Sequence, residues 1–440
     1  MPLLFRPRWF RLSSFVLCWI LGAAWPAAAQ DDEYIVYRLK AGDTLLALVA
    51  QYMQGPDALR QIVKVNGIRN PNLVPVDFAL KIPRQLIKHE PSSATVSRLN
   101  CRNITRLGGD STVTVQEGDS LLEGHVVRIP AGCQMAVTLD DNSVLRMLSG
   151  AVIQFKTLRR NILEQSPEVR LELLDGRIEM GVQGRRQAAD APFEVRTPTS
   201  VAGVRGTDFR VAFDANQRNS QVEVVKGAVA AQGSADRQGQ TVQGGQGVTI
   251  LADGRALPVE DFLAAPRFAF AALESASGRW LITLSAPTQA RRFLLRESED
   301  ASFMFFKAEQ SLDESRIDVA DFGPNAVFQQ WFSVSPTGIV GQGINYGFCK
   351  GYLRQELWRC NIHFNLTGLN NPRLRLQKVE QSGQLLTIVD QLIQIAASER
   401  LVFRGLPSGQ YKWRLEYDLN ATRRTNAEGD FEMVAIASDR

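Results

Sequence analysis

The sequence offers few side chains for catalysis or for metal binding. Its 440 residues include three histidines, His89, His125 and His363, and no two of them lie at metal-ligand spacing. It contains no Gly-x-Ser-x-Gly elbow and no phosphate-binding glycine loop. Paired carboxylates of the glycosidase type stay an open alternative, because acidic residues are common and their pairing is spatial. We therefore expect a binding protein rather than an enzyme, with no cofactor and no metal.

Residues 1–29 have the composition of a secretory signal. They carry three arginines and no acid, then an apolar run from Phe15 to Ala24, and they end in Ala27-Ala28-Ala29. We expect cleavage after Ala29 and a periplasmic location, with an uncleaved membrane anchor as the alternative. Beyond residue 29 the chain has 47 basic and 46 acidic residues. This balance gives no indication of nucleic-acid binding.

Four cysteines lie beyond the signal, and an even number in an exported chain is compatible with disulfides. We predict one bridge between Cys101 and Cys133 and a second between Cys349 and Cys360. Buried free thiols are the alternative. Zinc is not indicated, because the sequence has no Cys-x-x-Cys pair.

One arginine lies in a loop between two alternating segments. Apolar and polar residues alternate over 193–196 and again over 209–213, as in half-buried strands. Pro198, Gly203 and Gly206 punctuate the chain between them. The loop itself consists of Val204, Arg205, Gly206 and Thr207. Arg205 can hold the loop together by donating to several carbonyl groups, or it can bind a ligand at the surface.

This pattern resembles the central signature of the FecR domain, a module of the bacterial cell envelope. The resemblance covers nearly all of residues 101–262, where short alternating segments are separated by turns at residues 140–143, Asp175-Gly176 and Lys226-Gly227. We predict an all-β jelly roll or a short coiled stack of strands. The founding FecR protein spans the membrane and signals to a sigma factor. Because no cytoplasmic head is recognisable here, we expect an exported interaction module instead.

Residues 33–88 are expected to form a β-α-α-β unit that resembles a LysM domain, with residues 89–100 as a linker. The matching residues are Tyr34-x-Val36, Gly42-Asp43-Thr44-Leu45, Val65-Asn66-Gly67-Ile68 and Leu80-Lys81-Ile82-Pro83. LysM modules bind glycans that contain N-acetylglucosamine, chiefly peptidoglycan. The resemblance implies a sugar groove lined by Gly42, Asp43, Thr44, Leu45, Asn70, Asn72, Leu73 and Val74. The sequence departs from the family at Val76-Asp77, where Gly-Gln is usual.

The C-terminal part resembles two fibronectin type III-like β-sandwich repeats, at residues 266–345 and 346–436, through its strand spacing and aromatic positions. The predicted fold class is therefore mainly β and multidomain. Our first hypothesis is a non-enzymatic scaffold that binds peptidoglycan and an unknown envelope or inner-membrane protein. The alternative is a FecR-like signalling component that acts with a membrane partner. A peptidoglycan hydrolase is the third hypothesis.

Overall fold

A computed structural model describes residues 34–109, 111–182, 193–204, 206–274, 279–298, 303, 305–319, 327–352, 362–365, 372–392, 400–403, 409–419 and 422–438. The chain divides into two compact units between Ile87 and Lys88. The described part is mainly β-strand, as predicted. No helix in these ranges combines the length and the apolar character needed to span a membrane. The predicted signal, residues 1–29, lies outside the described residues.

The first unit has the predicted order of elements. It contains β1 (Tyr34–Arg38), α1 (Leu45–Tyr52), α2 (Ala58–Val65) and β2 (Ala79–Pro83), followed by a 3-10 turn at Arg84–Leu86. Strands β1 and β2 pair in antiparallel fashion. Thr44 caps α1, because its hydroxyl accepts a hydrogen bond from the Ala47 amide at 3.1 Å. At the other end, the Asn66 side chain both donates to and accepts from the Lys81 backbone, which ties α2 to β2.

The second unit begins with a closed barrel of short strands. These are β3 (His89–Pro91), β4 (Ala94–Leu99), β5 (Thr105–Gly108), β6 (Ser111–Thr114), β7 (Ser120–Leu121), β8 (Val126–Arg128), β9 (Met135–Leu139), β10 (Val144–Met147), β11 (Val152–Asn161), β12 (Ser166–Gly181), β13 (Phe193–Arg196), β14 (Ser200–Val204), β15 (Asp208–Asp214), β16 (Asn219–Lys226), β17 (Ala228–Gly233), β18 (Gln240–Gln243), β19 (Gln246–Ile250) and β20 (Glu260–Asp261). Alternate apolar residues of these strands pack into one interior core.

The strand pairings divide the barrel into two sheets that share β12. Sheet 1 contains β11, the first half of β12, β13, β14 and β17. Sheet 2 contains β10, the second half of β12, β15, β16 and β19. The predicted hairpin at Asp175-Gly176 is wrong, because β12 runs through both residues as one strand. Gly176 has φ +81° and lies against Ala151, so the glycine bends the strand from one sheet into the other.

Residues 89–100, predicted to be a linker, contribute two strands to the barrel. Strand β3 pairs with β11, and β4 pairs with β9. Alternate residues of β4 are buried, including Ala94 and Val96. Their side chains are small, which made the alternation hard to recognise in the sequence.

The predicted disulfide between Cys101 and Cys133 lies near the start of the barrel. The two sulfur atoms are bonded in the structure, and the Cα atoms are 5.5 Å apart. Cys349 lies in a strand, while Cys360 falls outside the described residues.

The remaining strands form three further sheets. They are β21 (Arg267–Glu274), β22 (Arg279–Ser285), β23 (Arg292–Ser298), β24 (Ala308–Leu312), β25 (Arg316–Val319), β26 (Val327–Val334), β27 (Val340–Tyr352), β28 (Ile362–Asn365), β29 (Arg373–Val379), β30 (Leu385–Leu392), β31 (Arg400–Phe403), β32 (Gly409–Leu419) and β33 (Thr422–Ser438). The largest has the order β24-β23-β26-β27-β33-β32-β29-β30, and we call it the C-terminal sheet.

The predicted boundary between two sandwich repeats, at 345/346, falls inside strand β27. This strand pairs with β26 on one side and with β33 on the other, so the C-terminal sheet draws strands from both predicted repeats. One of its faces packs Phe293, Leu295 and Trp331 into a core shared with β22. The opposite face carries a smaller cluster of Leu294, Phe332 and Val340.

Candidate functional site

The first loop of the predicted sugar groove is held by local hydrogen bonds. Gly42 has φ +92°, which suits a residue without a side chain. The Asp43 carboxylate accepts from the Lys40 amide at 2.7 Å and from the Tyr37 hydroxyl at 2.9 Å. Leu45 is buried in the core of the unit rather than turned to solvent. Asp43 therefore holds the loop by hydrogen bonds, and Leu45 anchors it in the core of the unit.

The second predicted loop exposes an apolar side chain. The Asn70 side chain accepts from the Asn72 amide, and the Asn70 carbonyl accepts from the Leu73 amide. Leu73 is 78% exposed, and Val74 is half-buried. The Leu39 amide donates to the Phe78 carbonyl, and the Leu39 carbonyl accepts from the Asp77 amide, so the chain after this loop lies beside the chain before Gly42.

Sequence reasoning missed two exposed apolar residues near these loops. Leu46 is 68% exposed in the first turn of α1, and Val76 is 58% exposed in the loop before β2. The sequence did contain an indication of them, since both are apolar residues beside predicted turns. Leu46, Leu73 and Val76 are thus three large apolar side chains exposed in or beside the predicted loops.

The predicted signature loop packs into the barrel. Val204 and Thr207 are buried, and Gly206 has φ +61°. A side chain added at Gly227 would lie 2.6 Å from Thr207 Cγ2, so the loop contacts the turn between β16 and β17 closely. Arg205 itself lies outside the described residues.

Four hydroxyl groups lie buried where the chain approaches this loop. They belong to Thr197, Thr199, Ser200 and Ser220, and adjacent oxygens are 2.6–2.9 Å apart. Ser220 lies in sheet 2 and Ser200 in sheet 1. The cluster therefore links the two sheets, and it gives the Thr-Pro-Thr-Ser sequence that leads into β14 a structural role.

A row of alternating charges crosses sheet 2 on its outer face. Arg146, Glu179, Arg210 and Glu223 are neighbours in register on β10, β12, β15 and β16, and we call them the charge row. Arg146 pairs with Glu179 at 3.0 Å, and Arg210 pairs with Glu223 at 2.7 Å. Gly247 continues the row on β19.

The C-terminal sheet covers the charge row. Arg296 of β23 extends to Glu179 at 2.7 Å and to Glu309 at 2.7 Å. Its guanidinium carbon lies 4.6 Å from the ring centre of Phe306 and 5.2 Å from that of Phe332. As a result, the side chains of Arg296 and Arg210 are only 4% and 7% exposed.

The surrounding cations keep Glu179 ionised. Burial alone would raise the pKa of its carboxyl, but attraction from Arg296, Arg146 and Arg210 outweighs that penalty and lowers the pKa to about 2. A removed partner would leave a buried charge uncompensated, which costs about 3–5 kcal/mol in measured cases.

A similar carboxylate lies on sheet 1, at the other side of the barrel. Burial raises the pKa of Glu168, but hydrogen bonds from His89 and Arg159, together with attraction from Arg159 and Arg170, lower it to about 2. The arginines beside Glu168 are more than one-third exposed. Both outer faces of the barrel thus pair a buried glutamate with arginines. On sheet 2 these pairs lie beneath the C-terminal sheet, whereas on sheet 1 the arginines are partly exposed.

Sequence reasoning missed the charge row for a clear reason. In a strand such as 209–213, a charged residue between apolar ones normally marks the solvent side. The pattern correctly placed Arg210 on the outer face. It contained no information that another sheet of the same chain covers that face.

Replacing Glu179 by Gln should reduce the loss of unfolding free energy that occurs as the pH falls from 4.5 towards 2. The folded pKa of Glu179 lies below its ordinary value of 4.5, so its stabilising effect is complete above about pH 4.5 and is lost as the pH falls towards 2. The shift corresponds to an effect on the order of 3 kcal/mol. Urea unfolding of both proteins between pH 7 and pH 2 measures it.

The matched control is Glu314→Gln, which removes a carboxylate from an exposed pair with Arg316. This control should follow the wild-type curve. An equal loss of stability at every pH for Glu179→Gln would contradict the ionised, paired state of that carboxyl.

Comparison with known proteins matches part of the barrel to one family. Residues 125–230 match the family model described as FecR protein. This range lies within the predicted region 101–262 and contains the signature loop and the charge row.

Among solved structures, the chain is similar to a candidate anti-sigma factor from Parabacteroides distasonis, with 20% identity over 31% of this chain and 59% of that one, at a TM-score of 0.26. The extracellular domain of a candidate one-component system from B. thetaiotaomicron matches 71% of this chain and 56% of that one, with 7% identity and a TM-score of 0.12. Latent PorU from Porphyromonas gingivalis matches 86% and 38%, with 8% identity and a TM-score of 0.13.

In each case the match covers less than two thirds of the other protein, and the TM-scores are too low to support functional transfer. The family match is the finding that carries weight, and it confirms the FecR interpretation for residues 125–230. Residues 125–230 of this chain are a FecR-type domain segment.

Proposed function

We propose that this protein is a FecR-like regulatory component of the bacterial cell envelope, exported to the periplasm, which acts through a protein partner at the inner membrane. The observation that carries the proposal is the FecR match over residues 125–230. Such a role needs a recognition surface rather than a reactive centre.

The geometry of the barrel suits a partner-binding role. Its two sheets enclose a continuous apolar core, so the outer faces have fixed side-chain positions. Both outer faces carry charges paired across neighbouring strands. Complementary charge patterns of this kind favour specific association over non-specific adhesion.

The N-terminal unit would keep the regulator at the cell wall. Its loops 42–45 and 70–74 resemble the sugar-binding loops of LysM domains, and Leu46, Leu73 and Val76 offer exposed apolar area beside them. Backbone groups in these loops would hydrogen-bond an N-acetyl group while the apolar side chains contact the sugar ring. Attachment would raise the effective concentration of the FecR-type domain near its partner.

A second candidate function is a structural scaffold bound to peptidoglycan. The exposed apolar residues of the N-terminal unit favour it, because they support wall binding without requiring a signal. The two candidates differ in the consequence of gene deletion, because only a regulator should change transcription.

Peptidoglycan binding predicts that the full-length protein sediments with purified insoluble sacculi. Leu73→Asp should weaken this binding about tenfold, since losing the apolar contact of one leucine removes roughly 1.5 kcal/mol. The control is Leu122→Asp in the barrel, which changes a leucine that is also exposed. Wild-type protein that remains in the supernatant at low and moderate salt would refute wall binding.

The regulatory role predicts a discrete transcriptional response. Deletion of the gene should change the abundance of a small set of transcripts, and crosslinking in intact envelopes should capture an inner-membrane protein with the wild-type chain. RNA sequencing and mass spectrometry measure these outcomes. Loss of envelope integrity with an unchanged transcript profile would contradict regulation and favour the scaffold.

A further inference from the structure

The junction between sheet 2 and the C-terminal sheet is electrically balanced on each side. The charge row contains two arginines and two glutamates, and these pair within sheet 2. On the other side, Arg296 pairs with Glu309 of the neighbouring strand. Separation of the two sheets would therefore leave every one of these six charges with an opposite charge beside it.

The contacts across the junction include hydrogen bonds as well as the apolar side chains of Phe332 and Ile339. Arg210 donates to the Val340 carbonyl at 2.6 Å, and the Val340 amide donates to the Glu223 carboxylate at 2.8 Å. The Thr249 hydroxyl donates to the Thr337 carbonyl at 3.1 Å. Water can replace such partners when the surfaces separate.

The segment that connects the barrel to the C-terminal sheet bonds to the barrel up to Phe262 and to the C-terminal sheet from Leu263 onward. The Phe262 amide donates to the Gly245 carbonyl, so Phe262 is fixed to the barrel. The Leu263 carbonyl accepts from the Gln342 amide, and the Ala264 carbonyl accepts from the Ser333 hydroxyl. Leu263 and Ala264 are therefore fixed to the C-terminal sheet, and a hinge fits between Phe262 and Leu263.

We propose that the charge row is a protein-docking surface which the C-terminal sheet occupies in cis, and that the sheet swings about the Phe262–Leu263 link to free it. The inference rests on the proposed function, because it places the external partner on the charge row. In the closed form described here, the C-terminal sheet excludes that partner.

The cis contacts define the chemistry of the partner. The occupying surface presents an arginine between two aromatic rings, which extends to Glu179, and a strand whose backbone amide and carbonyl meet Glu223 and Arg210. The external partner is therefore expected to present a strand edge with a flanking arginine–aromatic pair. A flat apolar partner would offer no charge or hydrogen bond to the charge row.

Two variants of the full-length protein open the junction by different means. Gly247→Val places a side chain against the C-terminal sheet, because a Cβ atom at Gly247 would lie 2.7 Å from Ile339 Cγ2. Arg296→Ala removes the cation that bridges the two sides. The matched control is Gly203→Val on sheet 1, where a Cβ atom would meet no atom closer than 3.8 Å.

Hydrogen exchange at the Val340 amide and small-angle scattering report the opening directly, with circular dichroism as the check on folding. Both variants should keep the β-sheet signal, exchange the Val340 amide about tenfold faster or more, and increase the radius of gyration. The control should match wild type in all three measurements.

Folded variants with wild-type exchange and scattering would overturn the proposal. Loss of the β-sheet signal from the whole second unit in both variants would also overturn it, because the junction would then be part of one common core. Neither readout involves peptidoglycan or a partner, so failure here is distinguishable from failure of the proposed function.

Discussion

The arrangement of the second unit depends on opposite charges meeting across neighbouring strands. An ionised side chain can be buried only if an opposite charge and hydrogen bonds replace its water. The charge row satisfies this condition within sheet 2, where register places each arginine beside a glutamate. Arg296 then enters between aromatic rings and adds a second cation for Glu179. The C-terminal sheet can thus cover the outer face of sheet 2 although that face carries charged rather than apolar side chains.

This arrangement gives the FecR-type domain two different outer faces. On sheet 1 the arginines beside Glu168 remain partly exposed, whereas the row on sheet 2 lies beneath β23, β26 and β27. A replacement of buried ion pairs by apolar residues is often neutral or stabilising. The presence of charges at the junction is in line with the docking role proposed for this surface.

The sequence allowed much of the fold to be predicted where local rules dominate. Alternation placed Phe209, Val211 and Phe213 in the barrel core, and Asn142 is left-handed within the turn predicted at residues 140–143. Predictions were wrong where tertiary context overrides local signals. Asp175-Gly176 has the composition of a hairpin turn but bends a continuous strand between two sheets. For the candidate site, the polarity of Arg210 was visible in the sequence, but the strand that covers it lies 130 residues away.

A double-mutant cycle between Glu179 and Arg296 tests the covered charge row most directly. Urea unfolding of the wild type, Glu179→Ala, Arg296→Ala and the double variant gives their coupling energy. A covered, desolvated pair predicts a coupling of roughly 2 kcal/mol or more, above the 0.2–1 kcal/mol that is typical of exposed pairs. A coupling of about 0.5 kcal/mol or less would contradict the account, because the two side chains would then meet in water rather than beneath the C-terminal sheet.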